Sequence, residues 1–147
     1  MQAETRNPNI KTAVVEFDEE HAFKVRSIRN NVFTNEQHID PDMDFDGQDG
    51  DAVHVLIMCK EKYVGTGRML HDGHIGRLAV LKEYRGQGLG AEIMLSLIKE
   101  AKNKNLKRVY LGAQKDAVGF YEKLGFSVYG EPYTEVNIEH VYMEKII

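Results

Sequence analysis

A strand that runs into a glycine-rich loop and then an amphipathic helix constrains this chain more than any other feature. The apolar segment Leu78-Ala79-Val80-Leu81 is soon followed by Arg85-Gly86-Gln87-Gly88-Leu89-Gly90. Three glycines in five residues allow the backbone to approach a ligand closely. The helix that begins here leaves unbonded N–H groups and its positive dipole end at the loop. That arrangement is typical of phosphate and pyrophosphate sites.

The loop fits neither of two common nucleotide-binding motifs. No Gly-Lys-Ser/Thr follows it, as the Walker pattern requires, and its spacing is not the Gly-x-Gly-x-x-Gly of dinucleotide-binding domains. On these residues alone, an ordinary glycine-rich turn between a strand and a helix is the alternative interpretation. Other segments of the chain distinguish an anion-binding loop from an ordinary turn.

Hydrophobic periodicity predicts the element order β-α-βββ-α-β-α-ββ. Predicted strands lie at residues 10–16, 52–59, 63–70, 74–81, 108–113, 126–129 and 139–146, and predicted helices at 19–34, 88–103 and 116–124. We expect Asp18 to cap the first helix, Asp72-Gly73 to form a two-residue hairpin turn and Gly125 to end the third helix. The helical crossover after residue 81 makes the strands at 74–81 and 108–113 parallel neighbours. The sequence thus predicts a single α/β (α+β) domain over residues 1–147, with a mixed central sheet of about 6–7 strands and flanking helices.

Composition excludes several classes of protein. The net charge is -4, and residues 40–51 hold six aspartates and no basic residue, so we predict no nucleic-acid partner. No apolar run approaches the ~20 residues of a membrane span, and Met1–Asn9 lacks the apolar stretch of a secretory signal. The one cysteine, Cys59, lies in an apolar strand-like run and is expected to be a buried hydrophobe without a nucleophilic role. These observations favour a cytoplasmic protein.

Two further segments accompany the glycine-rich loop. Phe120-Tyr121-Glu122-Lys123-Leu124-Gly125-Phe126 spans a predicted helix end and strand start, and Val32-Phe33-x-x-Glu36-Gln37 lies near the end of the first helix. With these motifs the chain resembles the GNAT superfamily of N-acetyltransferases over nearly its whole length, in element order as well as in motif. The Val32 to Gln37 segment resembles that of a subgroup of small bacterial members.

The resemblance implies a GNAT fold and direct transfer of an acetyl group from acetyl-CoA to a primary amine of a small molecule or peptide. Residues Arg85 to Gly90 match the family's pyrophosphate loop. Leu78-Ala79-Val80 matches the strand that bonds pantetheine and offers a backbone N–H to the thioester oxygen. Gln114 stands where the family commonly has asparagine and is a candidate pantetheine ligand. Tyr121 is the candidate general acid for the leaving thiolate, close to the cofactor sulfur.

His140 is the candidate general base. Glu139-His140-Val141-Tyr142-Met143 is similar to the Pro-His-x-x-Met ending of glyphosate N-acetyltransferases, in which that histidine acts as the base, although Glu139 replaces the proline. A neutral imidazole accepts a proton at physiological pH. The alternative is a half-exposed strand histidine, and Glu36 and Glu135 are rival bases.

The sequence leaves the acceptor open. Arg29, Arg68 and Arg77 lie on elements that border the family's acceptor cleft and can pair a carboxylate or phosphate, whereas surface ion pairing is the alternative for each. Glu36 is a further acceptor-binding candidate. His71 and His74 are expected to be solvated turn residues, although His74 can face the substrate mouth. The aspartate-rich segment 40–51 is expected to be a solvated, mobile loop beside the acceptor, and relatives suggest a possible homodimer.

Two other functions compete with acetyl transfer. One is a non-catalytic sensor that binds acyl-CoA without turnover. The other is calcium binding, because Asp42-Met43-Asp44-Phe45-Asp46-Gly47 fits the first half of an EF-hand loop. The second half does not fit, since the required glutamate position holds Val53 and the apolar position holds Asp49. We therefore predict no metal site.

Overall fold

Over residues 9–147, seven strands form two antiparallel sheets. The computed structural model describes residues 9–147, apart from the side chain of Asp42. The first sheet has the order β1-β2-β3-β4 and the second has the order β5-β7-β6. The strands are β1 Ile10–Val15, β2 Val53–Cys59, β3 Lys62–Met69, β4 Ile75–Val80, β5 Arg108–Gln114, β6 Ser127–Glu135 and β7 Ile138–Ile146.

The two sheets separate between β4 and β5, the two strands that the sequence predicts to be parallel neighbours. The predicted α+β class is confirmed, but over residues 9–147 the parallel pairing of β4 and β5 is limited to one bridge, between His74 and Tyr110. A bulge turns β4 away, because its register with β3 shifts and Arg77 adopts a left-handed φ of 53°. Bulges bend a strand and increase its twist. The result is a cleft between β4 and β5.

The first helix, α1 (Glu19–Arg29), begins as predicted and ends earlier. Asp18 caps it, with the His21 N–H donating to Asp18 Oδ1 at 2.9 Å. Before a one-turn helix, α2 (Pro41–Asp44), the chain continues as a π-helical segment, Asn30–Glu36, in which hydrogen bonds skip one residue more than in an α-helix. Hydrophobic periodicity does not reveal this change, because an apolar face continues through it. Such π-helical turns often occur at functional sites.

The helix α3 (Leu89–Asn103) confirms the predicted amphipathic helix at 88–103. Its buried face packs across the first sheet, where Ile93 lies over two glycines of β3. A Cβ at Gly65 would lie 3.1 Å from Ile93 Cδ1, and one at Gly67 would lie 2.6 Å from Ile93 Cγ2. These glycines bring α3 close to the sheet and fix its N-terminus at the mouth of the cleft.

The hairpin between β3 and β4 differs from its predicted form. Leu70 N donates to His74 O at 2.9 Å, and Gly73 N donates to Leu70 O at 3.0 Å. The loop thus has three residues, with only Gly73 in the left-handed region (φ 95°), instead of the two-residue Asp72-Gly73 turn. Asp72 instead accepts a bond from the His74 N–H, which stabilises the longer loop.

The last third of the chain supplies one wall of the cleft. The helix α4 (Val118–Lys123) follows a 3₁₀ turn and is shorter than predicted, and Gly125 follows it with φ 96°, as expected for a residue that ends a helix. Strand β6 is longer than predicted, because it continues past an irregularity between Tyr129 and Tyr133.

Cys59 is partly exposed at the end of β2, not buried as predicted. Across residues 9–147 no helix is long and apolar enough to span a bilayer.

Candidate active site

The glycine-rich loop forms an open cradle at the N-terminus of α3. Gly86 and Gly88 both have φ near 80° (80° and 81°), which disfavours other residues, and a Cβ at either would meet no atom within 4 Å. No side chain caps the helix, and its first α-helical bond is Glu92 N to Gly88 O at 3.1 Å. The preceding N–H groups therefore face the loop without a helical acceptor. We call residues 86–91 the anion cradle.

Gly90 links the two strongest sequence motifs. A Cβ at Gly90 would lie 3.3 Å from Phe120 Cζ. Its missing side chain therefore makes room for α4, while its backbone N–H remains part of the cradle. The Phe120 to Phe126 motif and the glycine-rich loop thus pack directly against each other. Their spacing along the chain does not reveal this contact.

Arg85 does not offer the free positive charge that its motif suggests. Its Nε donates to Val80 O at 2.9 Å, and its Nη1 and Nη2 donate to the two carboxylate oxygens of Glu36 at 2.6 and 2.7 Å. These hydrogen bonds, against the opposing effect of burial, hold the pKa of Glu36 below its ordinary value. In this structure the positive potential of the cradle comes from the helix and its N–H groups.

The open edge of β4 runs along the cleft. Ala79 and Val80 pair with Thr66 and Gly65 of β3 on one side. On the other side β4 has diverged from β5, so within the described chain no strand occupies that edge. Leu78-Ala79-Val80 therefore lies along this open edge, where the Val80 oxygen accepts a hydrogen bond from Arg85. Its role in binding pantetheine stays a prediction.

Gln114 lies across the cleft at the end of β5. Its Nε2 donates to Gln37 Oε1 at 3.2 Å, which joins β5 to the end of the π-helical segment. Its role as a pantetheine ligand stays a prediction. The arrangement leaves its side-chain oxygen available to a ligand N–H.

Tyr121 lies on α4 among aromatic rings. Its ring contacts Phe120 and Phe126 edge to face, at centroid distances of 4.9 and 6.0 Å. Burial raises the pKa of Tyr121 to about 12. The phenol is therefore protonated at neutral pH and can act as a hydrogen-bond donor.

His140 lies on β7, directly opposite Gln114 in the register of the second sheet. Its Nδ1 lies 2.7 Å from the carbonyl oxygen of Ile138. Because a carbonyl only accepts, Nδ1 carries the proton of the neutral imidazole and Nε2 keeps its lone pair. The ring stacks on Tyr133 at 5.3 Å, which further restricts its orientation.

The three predicted acceptor-binding arginines lie together in a network with aspartates. Arg29 is fully buried, and it donates to Asp44 Oδ2 at 3.2 Å and to Asp49 Oδ1 at 2.7 Å. Arg68, also buried, donates to Asp49 at 3.0 Å and, with two N–H groups, to Asp46 at 2.9 and 3.0 Å. Placed this way, Arg29 faces no open cleft.

Arg77 completes this network from the bulge of β4. It donates to Asp46 Oδ2 at 3.1 Å and to the backbone carbonyls of Met43 and Asp44. The segment 40–51 is consequently anchored, with Asp44 and Asp49 buried, and the expectation of a solvated, mobile loop is wrong. Asp44 and Asp46, two of the carboxylates that resembled half of an EF-hand, are bound to arginines.

The expectation that His74 is a solvated turn residue is wrong, because its ring packs against Tyr110. His74 is half-buried and stacks on Tyr110 at 4.7 Å, and the Tyr110 hydroxyl donates to Asp72. Burial lowers the pKa of His74, and the charges of Arg68 and Arg77 lower it further, while Asp72 and Glu135 oppose them. His74 therefore lies within electrostatic reach of the arginine network, of Asp72 in the β3–β4 loop and of Glu135 in the β6–β7 hairpin. His71, by contrast, is exposed as expected.

Comparisons with known proteins agree with this geometry. A family described as "Acetyltransferase (GNAT) domain" matches residues 16–147. The protein YyaT of Bacillus subtilis is 38% identical over 145 residues, which cover 95% of this chain and 96% of YyaT. An acyl-CoA N-acyltransferase from Pseudomonas aeruginosa superposes with a TM-score of 0.83 at 28% identity, covering 92% of this chain and 99% of that one. A GNAT acetyltransferase from Elizabethkingia anophelis with acetyl-CoA bound shares the fold, with a TM-score of 0.70 at 17% identity over 96% of this chain and 100% of that one.

Proposed function

This chain belongs to the GNAT family of acetyltransferases, and we propose that it transfers an acetyl group from acetyl-CoA directly to a primary amine of a small molecule or peptide. The observation that carries the proposal is the anion cradle, which opens at the end of an unpaired β-edge and packs against Phe120, the ring that contacts Tyr121. A reducing cytoplasm suits a chain with one cysteine. The proposed transfer is direct, from the thioester to the amine, without a covalent enzyme intermediate.

The cleft fits acetyl-CoA on three physical grounds. The cradle supplies N–H donors and a helix dipole to a pyrophosphate. The edge of β4 can continue its ladder with the amides of pantetheine, and a β4 N–H can donate to the thioester oxygen. The space beside Gly86 and Gly88, where a Cβ would meet nothing within 4 Å, leaves room for phosphate oxygens. When bound, the cosubstrate supplies an acetyl group activated as a thioester.

His140 begins the proposed reaction. An alkylamine is mostly protonated at neutral pH, because its pKa resembles that of lysine, about 10.4. The Nε2 lone pair of His140 takes a proton from the ammonium, and the freed amine forms a C–N bond to the thioester carbon. The electron pair of the carbonyl moves onto oxygen, where β4 N–H groups stabilise the negative charge.

Tyr121 ends the reaction. The oxyanion re-forms the C=O bond as the C–S bond breaks, and the electron pair of that bond leaves on sulfur, which takes the proton of the Tyr121 hydroxyl. The second proton of the newly bonded nitrogen passes to the phenolate, so the products are the acetylated amine and the CoA thiol. A phenol with a pKa of about 12 is a weak acid toward an ordinary thiolate, whose conjugate acid has a pKa of about 8.5. Burial in the cleft also raises the pKa of the leaving thiol, so the pKa values of the phenol and the thiol lie closer together.

Gly88→Ala tests the cradle directly. We expect wild-type protein to gain about 2.7 kcal/mol from acetyl-CoA at a hundredfold excess over Kd, a rise in Tm of roughly 5–11 °C. Gly88→Ala should lose most of this ligand-dependent shift, because φ 81° strains alanine and its methyl group fills the cradle. The strain itself costs roughly 1–2 kcal/mol. Thermal unfolding with and without acetyl-CoA measures both effects.

Gly47→Ala is the matched control. Gly47 has φ 83° and equally open space, but it lies in the 40–51 segment. The Gly47→Ala variant should incur a similar backbone strain and keep the rise in Tm that acetyl-CoA produces. An undiminished shift in Gly88→Ala, or equal losses in the two variants, would count against the cradle as the cofactor site.

A further inference from the structure

The arginine network has no cationic charge to spare for a substrate. Three arginines, Arg29, Arg68 and Arg77, face the three carboxylates of Asp44, Asp46 and Asp49. Within the described residues, Arg68 Nε has no hydrogen-bond partner. This single unbonded N–H does not give Arg68 a free positive charge, because Asp46 and Asp49 neutralise its guanidinium. The three aspartates therefore already occupy the positions at which these arginines could bind a substrate anion.

Asp46 occupies the outermost position of this cluster. Its two oxygens accept from Arg68 Nη1 and Nη2, in the bidentate geometry by which arginine recognises a substrate carboxylate, and Oδ2 also accepts from Arg77. Its side chain is 24% exposed, whereas those of Asp44 and Asp49 are 2% and 9% exposed. Burial opposes its ionisation, yet the hydrogen bonds of Arg68 and Gln48 and the charges of Arg68 and Arg77 hold the pKa of Asp46 well below its usual range.

Near His74, on which Glu135 and two arginines of the network act, the β6–β7 hairpin carries aromatic and acidic side chains. Tyr133 stacks on His140 and, at 4.3 Å, on Tyr142. Glu135, at the end of β6, acts electrostatically on both His74 and Tyr133. Among residues 9–147 no cation forms a salt bridge with Glu135. Aromatic faces and an unpaired carboxylate favour a positively charged ligand.

We propose that the acceptor is an amine without an acidic group, and that Asp46 determines this specificity by filling the carboxylate position between Arg68 and Arg77. The inference rests on the proposed acetyl transfer. An amino acid or an amino-sugar phosphate would have to displace Asp46 from two arginines. A cationic amine would instead meet Tyr133 and Glu135 without any displacement, with its reacting nitrogen toward His140.

Isosteric acceptor pairs test this proposal. Tyrosine amide and lysine amide are compared with free tyrosine and lysine, because each pair differs in one negative charge, and tyramine, cadaverine and agmatine extend the panel. Since amidation also lowers the pKa of the α-amine, each rate is referred to the concentration of unprotonated amine. We expect wild-type kcat/KM to favour the amide at least about tenfold in each pair, the discrimination that corresponds to 1.4 kcal/mol. Asp46→Asn should reduce that ratio at least about tenfold, by making the arginines available to the acid.

Asp51→Asn is the matched control, since it removes the same charge from the same segment at an exposed residue outside the network. It should leave the ratio unchanged. A wild-type preference for the free acids would overturn the proposal, as would an unchanged ratio in a folded Asp46→Asn variant. If that variant does not fold, the wild-type ratios alone decide. If acetyl-CoA binds and no amine of either kind is acetylated, the proposed function fails instead.

Discussion

His140→Ala is expected to lower kcat by about 10²–10⁴-fold, the usual contribution of a general base. The loss should fall on kcat and on kcat/KM for the amine alike, while the affinity for acetyl-CoA is unchanged. This pattern follows because the imidazole acts on the amine proton and lies on β7, away from the anion cradle. Steady-state kinetics and acetyl-CoA binding together measure it.

The pH dependence separates a base from a merely structural histidine. More of the amine is already deprotonated as pH rises, so the deficit of His140→Ala should shrink at alkaline pH. His71→Ala, at an exposed turn position, should retain wild-type kcat. If His140→Ala keeps its activity while His74→Ala loses it, the base is His74, which stacks on Tyr110 at the same side of the cleft.

Arg29→Met is expected to produce the largest loss of stability. Removing one partner of a buried ion pair typically costs about 3–5 kcal/mol. Without Arg29, the buried Asp44 would keep only Arg77 as a cationic partner, and Asp49 would keep only Arg68. For a domain of this size the corresponding fall in Tm is roughly 6–20 °C. Methionine keeps most of the apolar volume, so the loss reports the charge. Thermal or urea unfolding measures it.

Arg108→Met provides the comparison. Arg108 pairs with Glu144 at 2.6 Å, but both side chains are about one-third exposed (38% and 34%). Water can therefore hydrate the carboxylate that is left behind, and the fall in Tm should be much smaller. Equal falls in the two variants would contradict the assignment of a buried network that holds the 40–51 segment.

The stability of the wild-type protein should also depend on Asp49 in acid. Burial opposes the ionisation of Asp49, but the hydrogen bond and charge of Arg29, and then those of Arg68, keep its pKa below the ordinary value. A lowered pKa stabilises the fold above the unfolded-state value, about 3.9, and this contribution is lost as pH falls through the folded-state value. The difference between wild type and Arg29→Met should therefore be largest near neutral pH and shrink in strong acid.

Local patterns were enough to predict most of the secondary structure. The Asp18 cap, the α3 face and the glycine after α4 each depend on residues a few positions apart, and all three are confirmed. The π-helical turn after Arg29 was missed, because π and α turns differ in hydrogen bonding and not in apolar content. The splayed sheets were missed because the left-handed conformation of Arg77 reflects tertiary constraints.

The site was predictable only in part. The cradle could be predicted because a strand, a glycine-rich loop and a helix start are contiguous. The pairing of Arg85 with Glu36 spans 49 residues, and that of Arg77 with Asp46 spans 31. Spacing along one sequence carries no signal for such contacts. An acidic segment and three separate arginines could have suggested mutual neutralisation, but not which carboxylate faces the cleft.

Acetyl transfer itself is the most direct test of the central claim. Purified protein is incubated with acetyl-CoA and the amine panel, and mass spectrometry follows acetylated product while a thiol reagent follows free CoA. We predict product and CoA in equal amounts, abolished together in Gly88→Ala and strongly slowed in His140→Ala. Binding of acetyl-CoA without product from any amine would contradict the proposed enzyme and leave a sensor of acyl-CoA.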